Sequence, residues 1–309
     1  MPARLLYTGQ VVVDLVMGLD ALPLSGGDVL AHSARFEVGG GFNVMAAARR
    51  HGLATLYLGR HGQGRFGDMA RQAMADEGID AQSVMTEGQD TGLSVALIEP
   101  SAERTFISHV GAEGEIALAD LRRVEVREGD FVFVSGYSLS HPRKAGLLLE
   151  WLDEVRVPVT LVFDPGPLVL QADDPLMARL LPRIGLWTSN REETLRFTGR
   201  QGIDEALADL RHVLPQRSLV VVRDGPNGCW LSQGEEVTRV PGYPVQAVDT
   251  NGAGDAHAGV LLASLAAGYS STEAARRANA AAAIAVTRWG PATCPGVEEV
   301  EALMAGERR

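Results

Sequence analysis

Short apolar runs punctuate this chain, with segments of helical periodicity between them. Residues 11–15, 55–58, 131–134, 159–163 and 219–222 are dominated by Val, Leu and Phe. Runs of that length and composition predict strands buried on both faces, as in parallel sheets. Residues 66–77, 143–155, 203–214 and 272–289 instead space their apolar positions at helical intervals. Such alternation predicts an α/β fold, a doubly wound and mostly parallel sheet flanked by helices. Ligands of these sheets gather in the loops at the carboxyl ends of the strands. Two regions, 17–38 and 91–113, break the rhythm. The second predicts a hairpin, with residues 93–97 and 105–109 flanking the turn Pro100-Ser101-Ala102-Glu103. No internal repeat or low-complexity linker interrupts the chain, so residues 1–309 are expected to form a single domain.

Composition narrows the function. With 309 residues, 46% of them hydrophobic, the chain can bury a sizeable core. It has no apolar stretch approaching about 20 residues, and its start, Met1 to Tyr7, lacks the apolar core of a signal peptide. Only Cys229 and Cys294 are present, consistent with a reducing, cytoplasmic setting and no disulfide framework. A formal charge of −11 argues against nucleic acid as a partner, though an acidic protein can still hold a local anion site. The chain has a single lysine, Lys144, in neither a P-loop nor a protein-kinase context. Any bound phosphate must therefore be held by glycine backbone, a helix N-terminus or an arginine.

Two glycine turns offer such a site. Asp249-Thr250-Asn251-Gly252-Ala253-Gly254-Asp255 opens an Ala/Leu-rich run that stops at Gly268. Gly252, Ala253 and Gly254 let backbone N–H groups crowd toward a ligand, and a helix N-terminus adds partial positive charge. Asp255, in the first helical turn, is placed to accept the proton of an attacking hydroxyl. Taken alone, such residues are more often the ordinary cap of a helix than a catalyst. The second turn, Val38-Gly39-Gly40-Gly41-Phe42-Asn43, enters an Ala-rich helix stopped by Gly52. Asn43 can donate and accept, which suits a hydroxyl-bearing ligand, or it can serve as an N-cap. The spacing is not that of a dinucleotide fingerprint.

Together the two segments resemble the signature regions of the PfkB, or ribokinase-like, carbohydrate kinases. Ser189-Asn190-Arg191-Glu192-Glu193 resembles that family's Asn-x-x-Glu motif. The resemblance spans the chain and implies the ribokinase-like fold, with residues about 17–38 and 91–113 forming a small β lid over the acceptor. It implies ATP and Mg²⁺ as cofactors, with Asp255 as catalytic base and Gly252, Ala253 and Gly254 as the anion hole. Asp14, Gly40, Gly41 and Asn43 would bind the acceptor. Asn190, Arg223, Gly225, Gly228 and Asn279 would face ATP, with Ala283 beside the adenine. Glu193 would hold Mg²⁺ through water, and Asp249 with the 290–294 loop a monovalent cation such as K⁺. Other readings stand beside these. Asp14 suits a surface turn, and Asn190 with Glu193 suits a helix capping box. Arg223 suits a solvent-facing turn, and Asn279 suits plain helix packing.

The departures from the family bear on substrate. Some members carry Asp-x-Asn-x-Arg after a central strand, where this chain has Asp164-Pro165-Gly166-Pro167-Leu168. The ribokinase branch often places Lys in the first glycine turn, where this chain has Gly41. Lacking those cations, the site suits an uncharged acceptor, a free sugar or a nucleoside. Phe42, Phe106 and Tyr137 can stack on a base or sugar face, or fill the core. His257 stands where the family commonly has Phe. The expected activity is phosphoryl transfer from ATP to a sugar hydroxyl, the alternatives being a nucleoside kinase or a catalytically silent sugar-binding regulator. An exposed lid edge is expected to allow a homodimer.

Overall fold

The computed structural model describes residues 2–100, 104–167 and 174–306. Of the hairpin turn, Ser101–Glu103 lie outside the described residues, as does Leu168. The described strands, in chain order, are β1 (Arg4–Tyr7), β2 (Val11–Gly18), β3 (Ser33–Gly40), β4 (Ala54–Tyr57), β5 (Asp80–Ala81), β6 (Leu93–Ile98), β7 (Arg104–His109), β8 (Phe131–Ser135), β9 (Thr160–Asp164), β10 (Ile184–Asn190), β11 (Leu219–Arg223), β12 (Cys229–Gln233) and β13 (Glu236–Val240). They build two sheets. The large one runs β13-β12-β11-β10-β9-β8-β1-β4-β5 and is parallel except where β12 and β13 turn back at one edge.

Burial on both faces explains the continuous apolar runs. Leu5 and Tyr7 of β1 join one core layer with the helices Gly41–Arg50 and Ala253–Ala266, while Leu6 joins the opposite layer with Leu148 and Trp151 of the helix Pro142–Glu154. Side chains alternate across a strand, so a two-sided sheet needs apolar residues at every position.

The small sheet runs β3-β2-β6-β7, with β2 and β6 parallel and the other pairs antiparallel. The hairpin expected from 93–97 and 105–109 is present, with Leu93 opposite His109. One strand assignment is corrected. Residues 11–15 belong to β2 of this lid sheet, and the central place in the large sheet is taken by β1, which the sequence pattern did not single out. Burial in β2 alternates, with Val11 and Val13 enclosed and Val12 and Asp14 less so, as fits a one-sided sheet. Another boundary moves inward: the helix expected over 272–289 is Ser271–Ala285. The Val286 carbonyl accepts from the Val248 and Asp249 amides, so the chain turns away there.

The lid is tied to the body where its strands cross over. Gly41 N donates to the Gln10 carbonyl at 2.7 Å. The buried Glu113 carboxylate accepts from Gly92 N at 2.7 Å and Gly111 N at 2.9 Å, one on each side of the hairpin. Lys144, fully buried, donates to the Glu113 carbonyl at 2.9 Å, and burial brings its pKa down to about 8. The single lysine thus braces the lid's root. Among the described residues no helix is long and apolar enough to cross a membrane.

Candidate active site

The two glycine turns meet because the helices behind them touch through small residues. A Cβ on Gly259 of Ala253–Ala266 would stand 2.5 Å from both the Ala47 Cβ and the Val44 carbonyl oxygen of Gly41–Arg50. That closeness sets the N-terminal turns side by side, and Asn43 Nδ2 donates to Asp255 Oδ2 at 3.0 Å. Asn43 is the third residue of its helix rather than the N-cap, which is Gly40 at φ 62°. Gly252 caps the second helix at φ 72°, and a Cβ there would fall 1.8 Å from the Pro291 carbonyl oxygen. Only glycine fits that position. The first N–H groups of each helix lack intrahelical acceptors; Gly41 N is taken by the Gln10 carbonyl and Ala253 N reaches the Thr250 carbonyl at 3.4 Å.

Carboxylates crowd this space. Burial raises the Asp255 pKa to about 6, the Asn43 hydrogen bond opposes the shift, Asp164 adds to it and Arg223 counters it. Asp14 lies mid-strand in β2, and Gly39 makes room for it, since a Cβ on Gly39 would sit 2.3 Å from Asp14 Oδ2. Burial, then the fields of Glu37 and Asp255, lift the Asp14 pKa to about 7. Tyr7, stacked on Phe133, forms part of the floor beneath Gly41; burial and then the Asp255 and Asp164 charges push its phenol far upward.

The principal cation at this centre is Arg223, ending β11. Its side chain is 13% exposed, so the solvent-facing alternative does not hold. It donates to Asp164 Oδ2 at 3.2 and 3.3 Å and to Thr188 Oγ1 at 2.7 Å, and lies 3.7 Å from Glu193 Oε2. A Cβ on Gly254 would be 3.4 Å from it, which places the charge beside the 252–254 turn. Burial works against that charge, but Asp164, Glu193 and Asp255 outweigh it and hold the Arg223 pKa above its ordinary value.

Asn190 and Glu193 form the capping box of the helix Arg191–Thr198: Asn190 Oδ1 accepts from Glu193 N at 2.7 Å and Glu193 Oε2 accepts from Asn190 N at 2.8 Å. Burial, reinforced by Asp164, raises the Glu193 pKa, with Arg223 opposing. Asp249 accepts from the Asn251 amide at 2.8 Å and the Gly290 amide at 3.1 Å, joining the 252–254 turn to the 290 loop. Gly225 and Gly228 bound the tight turn after β11, and Gly228 abuts the Val240 carbonyl and the Gly242 amide. Asn279 fastens the same segment from behind, donating to the Val240 and Pro241 carbonyls at 3.2 and 3.1 Å. Its Oδ1 therefore faces His257 Nε2 at 3.1 Å. Burial and then Arg223 take the His257 pKa down to about 3, so the ring is a neutral tie between two helices.

Of the three aromatics, Phe42 lies in the core and Phe106 is exposed on β7. Tyr137 borders the cleft; burial and the fields of Asp255, Glu193, Asp164 and Asp14 raise its phenol. Sequence reasoning passed over Tyr7, Thr188 and Glu37. Tyr7 ends a short strand masked by the polar start of the chain. The placement of Thr188 and Glu37 depends on strand pairing, which no local pattern encodes.

Residues 3–297 match the model of the pfkB family carbohydrate kinases. The chain belongs to that family. It is 34% identical over 298 residues to the uncharacterised sugar kinase YegV of Escherichia coli, covering 96% of this chain and 92% of that one. It is 27% identical to a ribokinase of Haemophilus influenzae, covering 94% of each. The solved structure of Arabidopsis thaliana ribokinase complexed with ribose and ATP shares the fold at TM-score 0.80 and 23% identity, covering 98% of this chain and 99% of that one. As a family member this enzyme is an ATP-dependent phosphotransferase acting on a carbohydrate.

Proposed function

We propose that this kinase transfers the γ-phosphate of ATP to a hydroxyl of a sugar carrying no phosphate of its own, with Asp255 as general base. The observation that carries this reading is the Asn43–Asp255 bond, which fixes a carboxylate of pKa about 6 in the first helical turn behind Gly252. A base poised near neutral pH can take the hydroxyl proton as the oxygen attacks. The amides of Gly252, Ala253 and Gly254 receive the charge of the transferring group, and Arg223 adds a fixed cation at their edge.

Asp14, Gly40, Gly41 and Asn43 line the acceptor side. Arg223 and the turn at Gly225 and Gly228 line the nucleotide side, with Asn190 at the neighbouring strand end and Asn279 holding the segment on which that turn packs. The donor set fits Mg²⁺ held through water, since Glu193 and Asp164 are partly buried carboxylates around Arg223. Bound there, Mg²⁺ neutralises phosphate charge. Asp249 is the proposed anchor of a monovalent cation, supported by its bridging of the two loops. The exposed edge strand β7, with Phe106 53% and Ile107 62% accessible, supports a homodimer through the lid.

The test is an ATP-to-ADP turnover screen with Mg²⁺ and either K⁺ or Na⁺, across free sugars, nucleosides and sugar phosphates. A strong response to one free sugar is expected, larger in K⁺. Activity confined to nucleosides or to sugar phosphates would overturn the acceptor assignment. Silence across the panel, with ATP binding intact, would overturn the catalytic one.

A further inference from the structure

The lid presents a polar row on the face turned to the catalytic carboxylate. Pairing sets Glu37, Asp14, Ser94 and Ser108 opposite one another across β3, β2, β6 and β7, so their side chains share that face. The reach of Glu37 to the Gly290 loop of the body marks it as the inner face. Glu37 belongs to neither glycine motif. Its Oε1 accepts from Arg35 Nε, while its Oε2 is buried without a hydrogen-bond partner. Its carboxylate also reaches within 3.2 Å of a Cβ built on Gly290, so it spans from the lid to the loop beside the 252–254 turn.

A second acceptor nearby is also left without a donor. Asn43 is 5% exposed, its Nδ2 is committed to Asp255, and its Oδ1 has no partner. Buried acceptors without donors cost about 1–3 kcal/mol each, and such groups mark places where a ligand completes the bonding. The neighbouring donors are partly spent: one of the Ser94 and Ser108 hydroxyls donates to the other at 2.9 Å, Arg35 Nε donates to Glu37 Oε1, and Arg223 serves Asp164 and Thr188. Hydroxyl or ammonium groups of an acceptor molecule would supply the missing donors.

We infer that Glu37 binds the phosphoryl acceptor directly and restricts it to donor-rich sugars without negative charge, whether neutral or amine-bearing. This rests on the acceptor pocket proposed above. Hydroxyl or ammonium hydrogens satisfy Glu37 Oε2, Asn43 Oδ1 and Asp14 together, whereas a carboxylate or phosphate on the sugar meets Glu37, Asp14 and Asp255 as like charges.

The test compares wild type with Glu37→Gln and Glu37→Ala. The probes are ribose, fructose, glucose, glucosamine, gluconate and fructose 6-phosphate, each read by turnover and by the rise in melting temperature it confers. Melting without sugar checks that each variant folds. One uncharged or amine-bearing probe is expected to stabilise and be phosphorylated by wild type. Both variants should raise its KM about tenfold or more, the worth of one charge-assisted hydrogen bond, with the KM for ATP within about twofold. Glu37→Gln should also narrow the gap between that sugar and its anionic counterpart. Unchanged sugar KM and stabilisation in both variants overturn the assignment. If a probe stabilises wild type but no ADP forms, the kinase reading fails, and Glu37 is upheld only if the variants lose that stabilisation. If no probe stabilises or turns over, the inference falls with it.

Discussion

At the residue scale, the site is a balance of charges around Asp255. Burial and Asp164 favour its protonated form, while Asn43 and Arg223 favour the carboxylate. A general base works only when ionised, so kcat/KM should fall as pH drops through about 6. Asp255→Asn should bind ATP nearly normally yet lose about 10²–10⁴-fold or more in turnover. Turnover within a few-fold of wild type would assign the base elsewhere. Asn43→Ala removes the hydrogen bond that holds the pKa down. Its acid limb should move upward by roughly one pH unit, the worth of a hydrogen bond to a charged group, alongside a higher acceptor KM. A higher KM with an unmoved limb would leave Asn43 as an acceptor contact only. These residues were legible because their chemistry is local: a glycine turn, a helix start and a polar residue at a fixed offset. Arg223 was only half legible. Its place after a strand was evident, but its ties to Asp164 and Thr188 come from two neighbouring strands.

At the scale of elements, the site depends on two helices and on how closely they pass. Ala46, Ala47 and Ala48 on one, and Ala256, Gly259 and Val260 on the other, are all buried. The alanine-rich runs predicted helices but could not say that the two face each other, because small residues suit any close packing. Gly259→Val tests the contact. Its branched side chain would meet the Val44 carbonyl and Ala47, where even a Cβ finds only 2.5 Å, so the helices must separate or the core must shift. Overpacking of this kind costs about 1–3 kcal/mol. Since Asn43 and Asp255 sit at the ends of these helices, turnover should fall at least tenfold at temperatures where the variant remains folded. A destabilised variant of wild-type kcat would show that the end turns are held by other contacts. The assignment of 11–15 failed for a related reason. A short apolar run cannot tell a two-sided strand from one facing a lid, and Asp14 within β2 is the residue that fits only the second.

For the whole molecule, the question is what it costs to hold these carboxylates together under a lid. Asp14 and Asp255 both have folded pKa values above the ordinary 3.8, at about 7 and about 6. Between those values and 3.8 the folded protein binds more protons than the unfolded chain, so stability falls as pH rises. The contribution is fully present below about pH 4 and is lost as pH climbs through about 6 for Asp255 and about 7 for Asp14. Above pH 7 the fold therefore carries two ionised, partly enclosed carboxylates that the proposed function requires and stability does not. Asp14→Asn and Asp255→Asn should each stabilise the protein at pH 8, by roughly 1–2 kcal/mol once partial solvent access is discounted. That corresponds to a rise of about 2–4 °C in melting temperature. At pH 5 the gap for Asp14→Asn should shrink to roughly a third of its pH 8 value and should close only near pH 4, where the unfolded chain carries the proton as well. The two sites also act on each other, since the Asp255 charge is among the causes of the Asp14 shift. Removing either relieves the other, so the double variant should gain less than the sum of the single gains. Melting curves at pH 5 and pH 8 for the four proteins decide this. Gains that are equal at both pH values, or strictly additive, would mean that lid and body do not press these charges together.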